Sequence, residues 1–121
     1  MAQYFKGTPI PGSTANIAAS ASSGGGADAK ITFAAPASSG IRNVLTSVAW
    51  SYSTAPSSGA LRVYSGSSSG SLICELDITA QGPDGWQFEP LGATPGAAMT
   101  VILTQAGSSV VGRLNAYGRT E

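Results

Sequence analysis

Glu75 and Asp77 stand two residues apart in a stretch that alternates apolar and polar side chains, so both carboxylates belong to one face of one strand. Paired carboxylates can run glycoside hydrolysis, or hold Ca²⁺ with Asp84 and Glu89 joining from the next strand. A hydrolytic pair needs one carboxyl with a raised pKa in a sugar-sized cleft, and the neighbouring residues supply no such cleft. A calcium loop needs Asp-x-Asp-x-Asp-Gly spacing, which the chain lacks. A solvated strand face is therefore the expectation for Glu75 and Asp77, with no catalytic residue, no metal and no cofactor.

Aromatic residues are the second candidate set. Trp50, Trp86, Tyr52, Tyr64 and Tyr117 could form a platform for stacking sugars, the means by which β-sandwich carbohydrate-binding modules work. Trp50 alternates with Val44 and Val48 and is expected in the core. Tyr64 and Tyr117 fall off the main apolar faces and are expected at the surface, where tyrosine also suits protein interfaces. Cys74 alternates with Leu72, Leu76 and Ile78, which makes it a small buried hydrophobe rather than a nucleophile. With one cysteine and no histidine, the sequence excludes Ser-His and Cys-His pairs, His-ligated zinc, four-cysteine sites and internal disulfides.

Charge narrows the partners. Six Lys and Arg balance six Asp and Glu, and charged residues make up 10% of the chain where about 25% is usual. Arg42, Arg62, Arg113 and Arg119 are dispersed, so no basic footprint points to nucleic acid or an anionic membrane. Arg42 and Arg119 are candidates for intersubunit ion pairs. The Ser-Gly-rich run over residues 65–71 lacks the Gly-Lys-Ser/Thr ending of a phosphate-binding loop.

These side chains must be positioned by strands. Period-two alternation dominates, and Gly or Pro breaks every window of helical length. In residues 43–53, Val44, Thr46, Val48, Trp50 and Tyr52 share one face, taken as the core face. Further strands are expected over residues 29–34, 60–64, 72–79, 86–89, 97–105 and 109–117, with a weaker one over 16–20. Pro and Gly at 55–59 and small residues at 106–108 read as hairpin turns. Eight short strands at spacings near ten residues define an all-β, two-sheet antiparallel β-sandwich in one domain of 121 residues. Residues 28–121 are assigned to the sandwich, and residues 1–27 to an irregular N-terminal arm and a Ser/Gly-rich linker. Within the arm, Tyr4, Phe5 and Lys6 are expected to dock on a partner. Residues 1–13 lack the apolar run of a secretory signal, which places synthesis in a cytoplasm.

The runs Asn-Val-Leu-Thr-Ser-Val-Ala-Trp-Ser-Tyr-Ser, Gly-Ala-Leu-Arg-Val-Tyr-Ser-Gly, Leu-Ile-Cys-Glu-Leu-Asp-Ile-Thr, Gly-Pro-Asp-Gly-Trp-Gln-Phe-Glu-Pro and Val-Val-Gly-Arg-Leu-Asn-Ala-Tyr-Gly cover most of residues 41–117. In strand pattern this stretch resembles the small β-sandwich virion proteins of tailed bacteriophages, of the head decoration or cement type. The resemblance implies a jelly-roll-like sandwich and a non-enzymatic role. It also implies a homotrimer seated on the major capsid protein at the outer surface of the virion, with an arm reaching onto capsid or neighbour. It carries no catalytic or ligand motif. Residues expected at partner contacts are Tyr4, Phe5, Lys6, Tyr64, Tyr117 and Arg119, with neither nucleic acid nor membrane among the partners. The rival expectation is a carbohydrate-binding β-sandwich module of a tail fibre or secreted protein, for which Tyr64 is the residue to test.

Overall fold

Val, Ile, Thr and aromatic residues alternating with Ser and Ala, and broken by Gly or Pro every ten residues or so, favour short pleated strands over helices. The computed structural model describes residues 15–121, and every regular element in that range is a strand. These are β1 (Ala15–Ser22), β2 (Ala29–Phe33), β3 (Asn43–Tyr52), β4 (Ala60–Ser65), β5 (Ser71–Asp77), β6 (Asp84–Gly92), β7 (Met99–Leu103) and β8 (Gly112–Thr120).

They form two four-stranded antiparallel sheets, ordered β1-β8-β3-β6 and β2-β7-β4-β5. The pairs β1 with β8, β2 with β7, β3 with β6 and β4 with β5 are nested. They make one long antiparallel hairpin whose tip lies between β4 and β5, rolled so that its rungs alternate between two sheets. That is the jelly-roll form of the β-sandwich.

This topology corrects two hairpins expected from turn residues. The segment at 55–59 carries the chain from β3 to β4 in the opposite sheet, and the segment at 106–108 does the same between β7 and β8. Pro, Gly and Ser serve a crossing between sheets as well as a hairpin, so turn chemistry alone does not separate the two. Among consecutive strands, β4 and β5 alone pair with each other, across the Ser-Gly-rich loop.

The boundary expected between residues 27 and 28 is also corrected. β1 pairs with β8 from Ala15 to Ser22 and turns Ile17, Ala19 and Ala21 onto the core, so it belongs to the sandwich. The short connection that follows is tied by Ser23, whose Oγ accepts the Gly112 N–H at 2.7 Å and whose N–H donates to Gly112 O at 2.9 Å.

Between the sheets, Leu45, Leu61, Val63, Met99, Val101, Leu103 and Leu114 are wholly buried, with Ile31, Phe33 and Ala116 completing the layer. Two bulges decide which residues reach it. Against β8 the register of β3 shifts between Leu45 and Ser47, leaving Thr46 as the extra residue, whose hydroxyl donates to Tyr117 O at 3.0 Å; against β6 the irregularity at the same point sets Thr46 against Phe88, Glu89 and Pro90. Leu45, not Val44 or Thr46, therefore shares the core face with Val48, Trp50 and Tyr52, while Val44 is buried on the other face. In β5 the register shifts opposite Val63 and Tyr64, leaving Ile73 extra and turning Leu72 outward to the Glu75 face, 48% exposed. The expected grouping of Leu72 with Cys74, Leu76 and Ile78 fails for this reason. β6 runs through Pro90, where it was expected to end, because an edge strand tolerates a residue without an N–H.

Candidate functional site

β5 and β6 are edge strands of opposite sheets and do not bond to each other. Between them opens a cleft of about 290 Å³, lined by Trp50, Leu76, Asp77, Ile78, Asp84 and Trp86, with Thr79, Ala80 and Gly85 at its margin. The β3 bulge sets the alternation that turns Trp50 inward to the cleft floor, half-buried against the core. Register places Asp84 opposite Trp50 and Trp86 opposite Val48. Trp86 thus starts on the inward side of β6, but at an uncovered edge, where its indole is 53% exposed.

The connection from β5 to β6 is pinned over the end of β3. Tyr52 N–H donates to Gln81 O at 2.8 Å, and Gln81 Nε2 donates to Ser53 O at 3.2 Å. Gly82 adopts a φ of 78°, and a Cβ there would lie 3.0 Å from Cζ3 of Trp50, so glycine lets this turn rest on the indole. Asp84 Oδ1 accepts the Gly85 N–H at 2.8 Å. Neither Asp77 nor Asp84 is ion-paired among the described residues.

The expected site residues are distributed differently. Glu75 faces Arg62 directly across β4 and β5 and accepts from its Nε at 2.5 Å, which holds the Arg62 guanidinium above its ordinary value. Glu75 is therefore engaged on the outer sheet face, and Asp77, two residues on and opposite Ala60, turns its side chain to that same face at the end of β5, where the residue forms part of the cleft margin. Asp84 joins Asp77 there and Glu89 does not; no cluster of three metal-ligating side chains occurs among the described residues. Cys74 points inward, half-buried, and burial pushes its thiol up, away from nucleophilic use.

Tyr4, Phe5 and Lys6 lie outside the described residues. Tyr64 projects from the outer face of the β2-β7-β4-β5 sheet, in a row with Thr32, Thr100 and Leu72. Tyr117, 45% exposed, and Arg119 project from the outer face of the other sheet, where Arg119 and Arg42 both bind the Glu121 carboxylate and hold it below its ordinary value. These partner candidates accordingly occupy opposite sides of the sandwich. The five aromatics proposed as a platform divide likewise: Trp50 and Trp86 meet at the cleft, Tyr64 and Tyr117 stand on opposite faces, and Tyr52 is buried with its hydroxyl donating to Thr104 O at 2.9 Å. Asp84 beside Trp86 is the juxtaposition sequence reasoning missed. Its signal lay in the register of the Pro-Asp-Gly-Trp segment against Trp50.

No family model matches this chain, and no curated protein matches it. Among solved structures it is similar to a subunit of Bacillus endospore appendages, described as forming "a novel family of disulfide-linked pili". The TM-score is 0.50 at 14% identity, over 88% of this chain and 87% of that one. A likeness at that identity bears on the fold, and it agrees with the two-sheet sandwich.

Proposed function

We propose that this chain is a non-enzymatic structural protein that decorates and cements a tailed-bacteriophage head, binding the major capsid protein from outside as a homotrimer. The supporting observation is the placement of the large exposed apolar side chains among the described residues. Leu72 lies on one outer face, Tyr117 on the opposite one, and Trp86 at the open edge between the sheets. A unit touched by neighbours on several sides needs adhesive groups distributed in this way, and symmetry multiplies each modest contact. The similar appendage subunit also belongs to a repetitive surface assembly. Linear disulfide linkage needs two cysteines per subunit, however, and this sequence has Cys74 alone.

Co-sedimentation of the purified chain with undecorated capsids, paired with light scattering, tests the reading. Saturable binding and a solution mass three times 12.0 kDa are expected. Removal of residues 1–13 is expected to weaken capsid binding; undiminished binding would reject the arm contact through Tyr4, Phe5 and Lys6.

A further inference from the structure

We infer that the cleft between the β5 and β6 edges binds a neutral sugar residue, stacked on Trp86 and hydrogen-bonded through its hydroxyls to Asp84. This goes beyond the decoration role and does not depend on it. A pyranose is an amphipathic plate, with C–H groups on its faces and hydroxyl donors at its rim. An indole face carries negative charge density that attracts polarised C–H groups, and carboxylates accept hydroxyl protons. The cleft offers both kinds of surface together: Trp86 half-open to solvent, Trp50 at the floor, Leu76 and Ile78 on the wall, and the Asp84 carboxylate, opposite Trp50 and without a cationic partner among the described residues.

Size and charge narrow the ligand. About 290 Å³ is at the small end of the roughly 300–1,000 Å³ usual for small-molecule sites, which suits one ring and not a folded partner. The Asp84 carboxylate repels anionic sugars and phosphates. An ammonium group would be drawn to that carboxylate and the indoles, but Leu76, Ile78 and Ala80 would strip its hydration without replacing it, whereas they match the apolar face of a ring. The site is also held in place. Trp50 is fixed by the bulged β3 and by Gly82, and the β5 to β6 connection is tied through Gln81.

The test uses the full chain on an array of neutral gluco-, galacto- and manno-configured oligosaccharides, followed by calorimetric titration and tryptophan emission with the strongest binder. Reproducible binding with a shift in emission is expected. Trp86→Ala should weaken it about tenfold or more while Trp86→Phe recovers most of the affinity. Asp84→Asn should also weaken it, whereas Tyr64→Ala and Tyr117→Ala should not. Raising NaCl from about 0.05 to about 0.5 M should leave the affinity within about twofold, as befits an uncharged ligand. The proposal is overturned if no oligosaccharide binds at millimolar concentration, or if binding survives Trp86→Ala. Capture of a lysine-rich peptide in place of the sugars, abolished by salt, would overturn it in favour of a cationic partner. Capsid co-sedimentation of the same variants reads the decoration role separately, so either proposal can fail without the other.

Discussion

Asn43 shows how much one polar side chain can hold in a sandwich short of charges. It is 1% exposed at the head of β3, and its Nδ2 donates to Ala34 O at 3.0 Å and Ala97 O at 3.2 Å, joining the β2 to β3 and β6 to β7 connections. Asn43→Leu would leave two carbonyls without that donor and is expected to cost about 2–3 kcal/mol in urea unfolding. Tyr52→Phe removes one hydrogen bond to Thr104 O and should cost about 1 kcal/mol. Equal losses from the two variants would refute this ranking. Cys74 yields a prediction of rate: because burial raises its thiol, the thiolate fraction at neutral pH is smaller than that of an ordinary cysteine. Iodoacetamide should therefore modify the folded protein more slowly than the urea-unfolded chain at pH 7.5, and the folded rate should still be climbing with pH where the unfolded one has levelled off. The inward side of Cys74 was legible from its alternation with Leu76. The buried role of Asn43 was not, since an Asn opening a strand looks the same whether it caps water or two carbonyls.

At the scale of elements, alternation marked seven strands plainly, because period two is imposed by the pleat itself, and β1 only as a weaker run over residues 16–20 within the segment assigned to the arm. It did not reveal the bulges, for an inserted residue changes the pairing without marking the sequence. The cost of such a departure can be read at Gly118 of β8, which pairs with Leu45 beside the β3 bulge. A Cβ built on Gly118 would collide with the Val44 carbonyl, a backbone atom that cannot rotate aside. Gly118→Ala should lower stability by about 2–3 kcal/mol through forced separation of β3 and β8. Gly24 is the control, with nothing within 4 Å of its added Cβ, and Gly24→Ala should change stability by less than about 0.5 kcal/mol. Thermal melts of the two variants side by side suffice. A Gly118→Ala protein as stable as its parent would mean that the two strands can part without loss. The same limit hid the candidate site, because Trp50, Asp77, Asp84 and Trp86 come from three strands whose neighbours depend on register and sheet assignment.

For the whole molecule, strand number and spacing made a two-sheet sandwich legible, but not which strands share a sheet. That assignment is a long-range matter. β1 closes against β8 and β2 against β7, so the first and last strands of the sandwich must meet before the outer rungs of the rolled hairpin exist. Closing such long loops costs chain entropy before any pairing repays it, which slows folding in β-sandwiches to the order of milliseconds to seconds. Refolding from urea should fall in that range. It should not follow a fast local collapse of the β4–β5 hairpin, because that hairpin buries Leu61 and Val63 only when β7 and the opposite sheet are present. Both sheets also contribute to one core, so neither can persist alone. The urea transition seen by far-ultraviolet circular dichroism should then coincide with that seen by emission from Trp50 and Trp86 at the open edge. Separated midpoints would show that the β5–β6 edge opens before the core dissolves. The cleft would then be a locally melting region and not the rigid site that stacking of a sugar requires.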